Sequence, residues 1–576
     1  MRRIDTINRA RNLFGSGKDG FTDGVPGTSA LPTYLNGAWF NAVQEELANV
    51  LEKHGFALQP DQNDQLSKLL RVNKGRTAKE AANGVTPVNI GYEPGDVCRY
   101  GDVDLTGVNS CSNVVAIAAA SGHDVLFTEP GIYSFADIAL TQPGVRIDWS
   151  KEVTLRQADR TKHMFRPLAD RITIEGRGPV HGTAIDETTN TFFVFTDGAT
   201  PARWLTVRRV RATGSVAGQG FNNFVKLDSG CDFGEVVSNE VRNLVGSSDG
   251  RGYGLLVGDA KGVLGSLNKF YGGANSGRHA VYFSGGASYC KATLNYVNGF
   301  VYDAFTQFSQ GGQPPCQHNQ FIGNVAEDCA TLAALSSGSY SVMGHSRFAK
   351  FLHNVSVRSR SCGIKVDGTN FSDLEDTLLE GNLILDSGFN GIDIIAAPRG
   401  RIIGGLVKDS STRPNGDGVS SNVRFSAAVG VAADGWRVSG VSIPASARAR
   451  SGIEVNATPP VPADLGFDGN DVGVGTSGLK YEFAGNAFPV DGKVLLTVDF
   501  DPASLGPGAV SAPVTFAMPG AKVGWPVVVG HTGDHDGVSI AGRIAPAGTA
   551  RVWLVNHNGA AKDVPAGTLT VCAVQP

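Results

Sequence analysis

Residues 268–286 read NKFYGGANSGRHAVYFSGG, and residues 294–312 read LNYVNGFVYDAFTQFSQGG. Each holds an apolar run, a polar turn, a second apolar run and a glycine-rich exit. The same phrasing recurs in NEVRNLVGSSDGRGYGLLVG (239–258), NQFIGNVAEDCATLAALSSG (319–338), FLHNVSVRSRSCGIKVDG (351–368) and DTLLEGNLILDSGFNGIDIIAA (376–397). A unit of 24 to 32 residues with asparagine and glycine at its corners and only strand-like contents predicts a solenoid. Such a unit buries its apolar face by stacking on its neighbours. The expected fold is all-β, a right-handed parallel β-helix. Propeller blades need about 40 residues each and a recurrent tryptophan signature, and six tryptophans in 576 residues do not provide one.

Upstream, VLFTEPGIYSF (125–135), VRIDWSKEVTL (145–155) and ITIEGRGPVHG (172–182) combine alternation with Gly/Pro punctuation, so the β-helix is expected over 96–480. The last segment, 481–576, contains VLLTVDF, APVTFAMPG, WPVVVGHTG, ARVWLVNHNG and LTVCAVQP. These alternating strands predict a C-terminal β-sandwich. Residues 1–75 differ: Asn36 can cap a helix through GAWFNAVQEELANVLEKHG (37–55), where Trp39, Val43, Leu47, Val50 and Leu51 fall at helical spacing. Ahead of it, FTDGVPGTSALPTYLN (21–36) reads as an irregular loop, and 76–95 as a linker.

Glycine contributes 75 of 576 residues, against about 7% on average, which fits many turns. A net charge of −4 argues against nucleic acid or an anionic membrane as partner. The start MRRIDTINRARNLF carries no apolar signal core, and no run of 18 apolar residues occurs. Synthesis in the cytoplasm without membrane insertion is therefore expected. Eight cysteines form no CxxC or Cys/His zinc spacing. They are expected as buried reduced thiols, with Cys290 and Cys316, 26 residues apart, positioned to stack. HTGDHDG (531–537) reads as a polar loop. No metal or cofactor is expected, and GxSxG, HExxH and P-loop motifs are absent.

Superposing the second apolar run of successive units yields a candidate site. Tyr253, His279, Asp303 and Glu327 follow one another at intervals of 26, 24 and 24, with Asp328 beside Glu327. Equivalent positions of neighbouring coils lie about 4.8 Å apart, so these side chains should form an outward ladder along one groove. Paired carboxylates about 5 to 8 Å apart match glycoside hydrolysis, one as acid and the other as nucleophile or base. Asp303 with Glu327 or Asp328 is the expected pair, and His279 one rung away tunes it. Arg278, Tyr253 and Tyr282 are candidates to grip hydroxyls or an acidic sugar, and Asp249 and Arg251 to line the same groove. Within one strand, Arg278 and His279 are expected on opposite faces. A corner aspartate can equally serve only to bond turn amides, the reading preferred for Asp386 and Asp393.

The N-terminal phrases "FTDG", a loop, then "W-NAVQEEL" resemble the N-terminal segments of phage tail fibres and tailspikes. The repeat region, with GRHAVYFSGGAS (277–288), resembles the pectate-lyase-like β-helices of tailspikes. The resemblance implies a homotrimeric virion protein, attached to a phage tail or baseplate protein through residues 1–75. It would bind and cut a bacterial surface polysaccharide such as a capsule, exopolysaccharide or O-antigen. Two alternatives remain at this stage. One is a polysaccharide lyase, in which His279 or Tyr282 removes a proton beside a uronate and Arg278 offsets its charge; the other is a receptor-binding spike without catalysis.

Overall fold

The computed structural model describes residues 5–574 apart from 54–56, 60, 67–74, 186–188, 215, 217, 247–250, 273–275, 332–336, 372, 412–419, 429–430, 457–463, 477–478, 484–486, 491–492, 519–520, 534 and 547. Its body is a parallel β-solenoid of three long sheets, two of which contain 13 strands each. Each coil contributes one strand to every sheet. In one coil these are Leu264–Ser266, Lys269–Gly272 and His279–Ser284; in the next, Lys291–Thr293, Tyr296–Asn298 and Phe305–Ser309. The sequence pattern shows two runs per coil because the first two strands are parted by only two residues, such as Leu267 and Asn268. They therefore read as one run.

That two-residue corner explains the asparagines. Its first residue takes a left-handed conformation (Ser238 φ 57°, Leu267 φ 56°, Leu294 φ 54°), which turns the chain sharply. Its second residue is Asn239, Asn268, Asn295, Asn324, Asn354 or Asn382. Each of the first five donates from Nδ2 to Oδ1 of the next, at 2.9 to 3.2 Å. The acceptor oxygen also takes the main-chain N–H of the preceding rung's asparagine, as Asn324 Oδ1 does from Asn295 at 3.0 Å. All six side chains are buried, so the ladder satisfies amides that water cannot reach. Inward residues stack in files, including Phe321 on Phe351 at 4.7 Å and Phe305 on Tyr340 at 5.0 Å.

A helix at Ser112–Ala120 lies at the N-terminal end of the solenoid and buries Val115, Ala118 and Ala119 in the same core as Val125 and Ile138. It covers the open end of the stack. Residues 76–95, expected as a linker, are instead docked. The helix Ala78–Ala82 has a full capping box from Thr77 and Glu80, and Glu80 meets Arg99 at 2.7 Å with both side chains fully buried. The helix Gly37–Lys53 forms as expected, with Asn36 Oδ1 accepting from Trp39 N at 2.9 Å; Gly55, the glycine expected from the sequence to end it, lies outside the described residues.

The final rung of the third sheet is Tyr481–Phe483. Beyond it, strands Ala487–Val490, Lys493–Phe500, Gly567–Val574 and Val527–His531 pair antiparallel, as do Val514–Ala517, Thr549–Asn556 and Val538–Ala545. Leu496, Met518, Val552, Leu569 and Val571 form the shared core of this terminal sandwich. The HTGDHDG loop belongs to it, and His531 Nδ1 accepts from the N–H of Gly533 at 3.2 Å. No helix among the described residues is long and apolar enough to cross a membrane. All eight cysteines are free, and seven are buried. Cys290 and Cys316 do not stack: Cys316 pairs with Ser346, and the Cys290 N–H donates to Asn319.

Candidate functional site

The third sheet positions the site. Tyr253 pairs with His279, and Val281 pairs with Phe305, which puts Asp303 opposite His279 on the next coil. The expected ladder is thus present through three rungs. It departs from regular alternation in a way that creates the site. The N–H groups of Ala280 and Val281 both donate to Ala304 O at 3.0 Å, and both side chains enter the core. Two consecutive inward residues bring His279 and Tyr282 to the same outer face, with ring centroids 5.0 Å apart. The inward position on the preceding coil is Gly254, where a Cβ would lie 2.5 Å from Ala280 O and 2.7 Å from the Phe270 ring. Only glycine fits there.

A cavity of about 630 Å³ opens over these rungs, lined by Tyr253, Arg278, His279, Tyr282, Tyr302, Asp303 and Thr306, and also by Phe308, Gln310, Gln313 and Met343. Tyr253 lies nearly parallel to His279, at 5.7 Å and 9°. Arg278 does not oppose His279 as strand alternation predicts. It precedes the strand, sits over the Tyr302 ring at 5.1 Å, and brings its Nε within 3.3 Å of His279 Nε2. Arginine can only donate, so His279 Nε2 accepts and the ring proton sits on Nδ1. From there it faces Asp303 O at 3.3 Å and Asp303 Oδ2 at 3.5 Å.

Asp303 is 2% exposed and His279 6%, so the ladder is recessed and not outward-facing. Burial drives the His279 pKa down to about 3, and the Arg278 charge adds to the effect, which leaves the imidazole neutral. Burial also raises the Asp303 pKa. Hydrogen bonds to Oδ1 from Ser341 Oγ at 2.5 Å and Gly338 N at 2.8 Å oppose that rise without cancelling it. Burial likewise raises the Tyr282 pKa far from the phenolate range. Thr306 Oγ1 is buried in the lining without a hydrogen-bond partner among the described residues.

The carboxylates expected to accompany Asp303 are elsewhere. Phe305 pairs with Tyr340, so the coil after Asp303 is 35 residues long, not 24, and its next rung holds Gly338. Glu327 lies on the second sheet between Asn298 and Val357. There it accepts from Tyr296 OH at 2.5 Å and pairs with Arg358. Asp328 sits at a left-handed corner, φ 53°, with Arg358 Nη2 at 2.9 Å. Asp249 lies outside the described residues, and Arg251 is not part of the cavity lining. Asp393 is buried in a bidentate pair with Arg424 at 2.9 and 3.1 Å, and Asp386 occupies another left-handed corner at φ 55°.

Sequence reasoning overlooked Tyr302, Thr306 and Ser341. Tyr302 stands 24 residues after Arg278, the same offset that relates His279 to Asp303, so the repeat carried its signal. Ser341 falls beyond the long coil and carried none.

No family model matches the chain. The uncharacterized protein StfP of Escherichia coli is 44% identical over 71 residues, which is 12% of this chain and 34% of that protein. The match thus spans about a third of the relative's length. Among solved structures, the Dettilon tailspike protein is 11% identical, covering 83% of this chain and 94% of its own, with a TM-score of 0.48. The mannuronan C-5 epimerase A-module of Azotobacter vinelandii is 15% identical, covering 69% and 98%, with a TM-score of 0.45. Bacteriophage CBA120 tailspike protein 3 is 13% identical, covering 81% and 70%, with a TM-score of 0.45.

Proposed function

We propose that the chain is a phage tailspike that binds a bacterial surface polysaccharide and cleaves it by glycosidic hydrolysis, with Asp303 as the general acid. The observation that carries this reading is the buried Asp303 carboxyl in a recess edged by Tyr253, Tyr282 and Tyr302. Flat amphipathic rings suit sugar faces, and a carboxyl whose pKa is raised by burial suits protonation of a leaving oxygen. His279 donates toward Asp303 from a neutral ring and orients it. Arg278 and Thr306 offer hydrogen bonds to sugar oxygens.

Hydrolysis also requires a nucleophile or base, and among the described residues no second carboxylate lines the cavity. A homotrimer would bring a neighbouring subunit beside this groove and could supply that group. Residues 1–75 would join the assembly to the phage tail. Elimination at a uronate is the weaker reading, because a histidine with a pKa near 3 and a tyrosine shifted upward are both poor bases near neutrality.

The test is size-exclusion chromatography of purified surface polysaccharides after incubation with the protein and with Asp303→Asn. Collapse of the polymer by the wild type alone supports the assignment. Equal cutting by both removes Asp303 from the chemistry. Binding without any fall in polymer size replaces the enzyme with an adhesin, and products absorbing in the ultraviolet replace hydrolysis with elimination.

A further inference from the structure

A second cavity, of about 610 Å³, lies on another edge of the solenoid, at the corner between the first and second sheets. Lys151, Arg177, Arg209, Arg211 and Lys269 line it together with Ser238, Asn239, Glu240 and Leu267. Five cations therefore converge in a chain whose net charge is −4. The nearby carboxylates are already engaged: Glu240 accepts from Arg242 at 2.7 Å, and Glu175 is held by Arg146 and Arg208. Among the described residues, no carboxylate lies within 4 Å of the charged nitrogens of Arg177, Arg209, Arg211 or Lys269, and Lys151 has only Glu152 at 3.5 Å. Glu240, between Arg211 and Lys269 on the second sheet, is the one carboxylate in the lining among the described residues, so cations outnumber it five to one; like charges in that excess repel one another, and their convergence on one cleft favours an external anion.

The fold sets their spacing. Lys151, Arg177 and Arg209 occupy this corner on three successive coils, following the strands Arg146–Trp149, Thr173–Gly176 and Thr206–Arg208. Arg211 and Lys269 begin second-sheet strands, with Glu240 on the coil between them. Successive corners are separated by about 4.8 Å, which is comparable to the advance of one ring along an extended uronate chain. Cations on three successive coils, Lys151, Arg177 and Arg209, before Glu240 interrupts the row, suit a polymer bearing one carboxylate per sugar, and guanidinium can take a carboxylate with two parallel hydrogen bonds.

We infer that this corner is a second glycan site, which holds an acidic polysaccharide through its carboxylates away from the Asp303 groove. The inference rests on the reading of the chain as a polysaccharide-binding spike, but its test does not depend on cleavage. Labelled oligogalacturonate is titrated into the full chain at low and high salt, with a neutral gluco-oligosaccharide and monomeric galacturonate as comparators. The wild type should bind the acidic oligomer, at least tenfold more weakly in high salt, and neither comparator comparably. Arg177→Ala combined with Arg209→Ala should weaken binding at least tenfold, and Arg177→Lys with Arg209→Lys should weaken it less than the double alanine variant does. No binding by the wild type, equal binding of the neutral oligomer or the monomer, equal binding by the double alanine variant, or loss on Arg278→Ala instead would each overturn the inference. Unchanged melting temperatures exclude misfolding as the cause of any loss.

Discussion

Asp303 Oδ2 lies 3.5 Å from Nδ1 of His279 on the preceding coil, and both side chains are almost wholly shielded from water. Arg278 fixes the histidine tautomer from the other side, so the ring presents its single proton to the aspartate. The stacked coils bring the two side chains together, and Ser341 and Gly338 hold the other carboxylate oxygen; if Asp303 is the general acid, His279 is the group that orients it.

Ser341→Ala removes the shorter of the two hydrogen bonds to Asp303 Oδ1. That bond lowers the Asp303 pKa against the effect of burial, so its loss raises the pKa further. If protonated Asp303 is the acid, the alkaline limb of the kcat/KM profile should move to higher pH, with kcat falling about tenfold. A profile that keeps its limbs while only stability falls would make Ser341 purely structural.

If the chain depolymerises a polysaccharide as proposed, Glu327→Gln and Asp328→Asn should each leave that activity within about twofold of wild type. Their carboxylates serve Tyr296 and Arg358 on the second sheet, and partly exposed pairs of this kind contribute at most about 1 kcal/mol. Reducing-end assays on the polymer that the wild type cuts would check this directly. A loss of a hundredfold or more would return these residues to the catalytic machinery.

Glu80→Ala leaves Arg99 charged and buried, and should lower unfolding stability by about 3 kcal/mol in urea titrations. The sign of the pH dependence follows from the depressed pKa, about 2 in the fold against 4.5 normally. The Glu80 contribution is complete above pH 4.5 and disappears as pH falls toward 2. Wild type and variant should therefore differ less in stability at pH 3 than at pH 7.

Asn295→Ala opens the corner ladder. It removes the acceptor of Asn268 N, one of the two acceptors of Asn268 Nδ2, which keeps Val236 O, and the side-chain donor to Gly265 O. With these groups buried, the cost should be about 2 kcal/mol or more. Hydrogen exchange of the Asn268 amide should accelerate well beyond that of amides several coils away.

The repeat is legible in the sequence because a solenoid writes its contacts at a short, nearly constant sequence separation. Tyr253, His279 and Asp303 could be stacked by counting residues, and Tyr302 could have been. Counting failed at the next coil, where 35 residues replace 24 between paired positions. An insertion at a corner costs little, since chain entropy grows only slowly with loop length, so nothing in the local pattern announces it. Glu327 landed on the wrong sheet for that reason.

The sequence by itself determined the all-β stacked architecture, the asparagine corners, the capped helix at residue 37 and the rungs from Tyr253 to Asp303. All of these follow from periodicity and local turn chemistry, which depend on near neighbours along the chain. Only the tertiary structure decided that Arg278 and His279 share a face, that Asp303 is recessed and held by Ser341, and that the five cations meet at one corner. These relationships depend on bulged pairing, coil length and burial, which are properties of how coils settle on one another and leave no mark on any single coil.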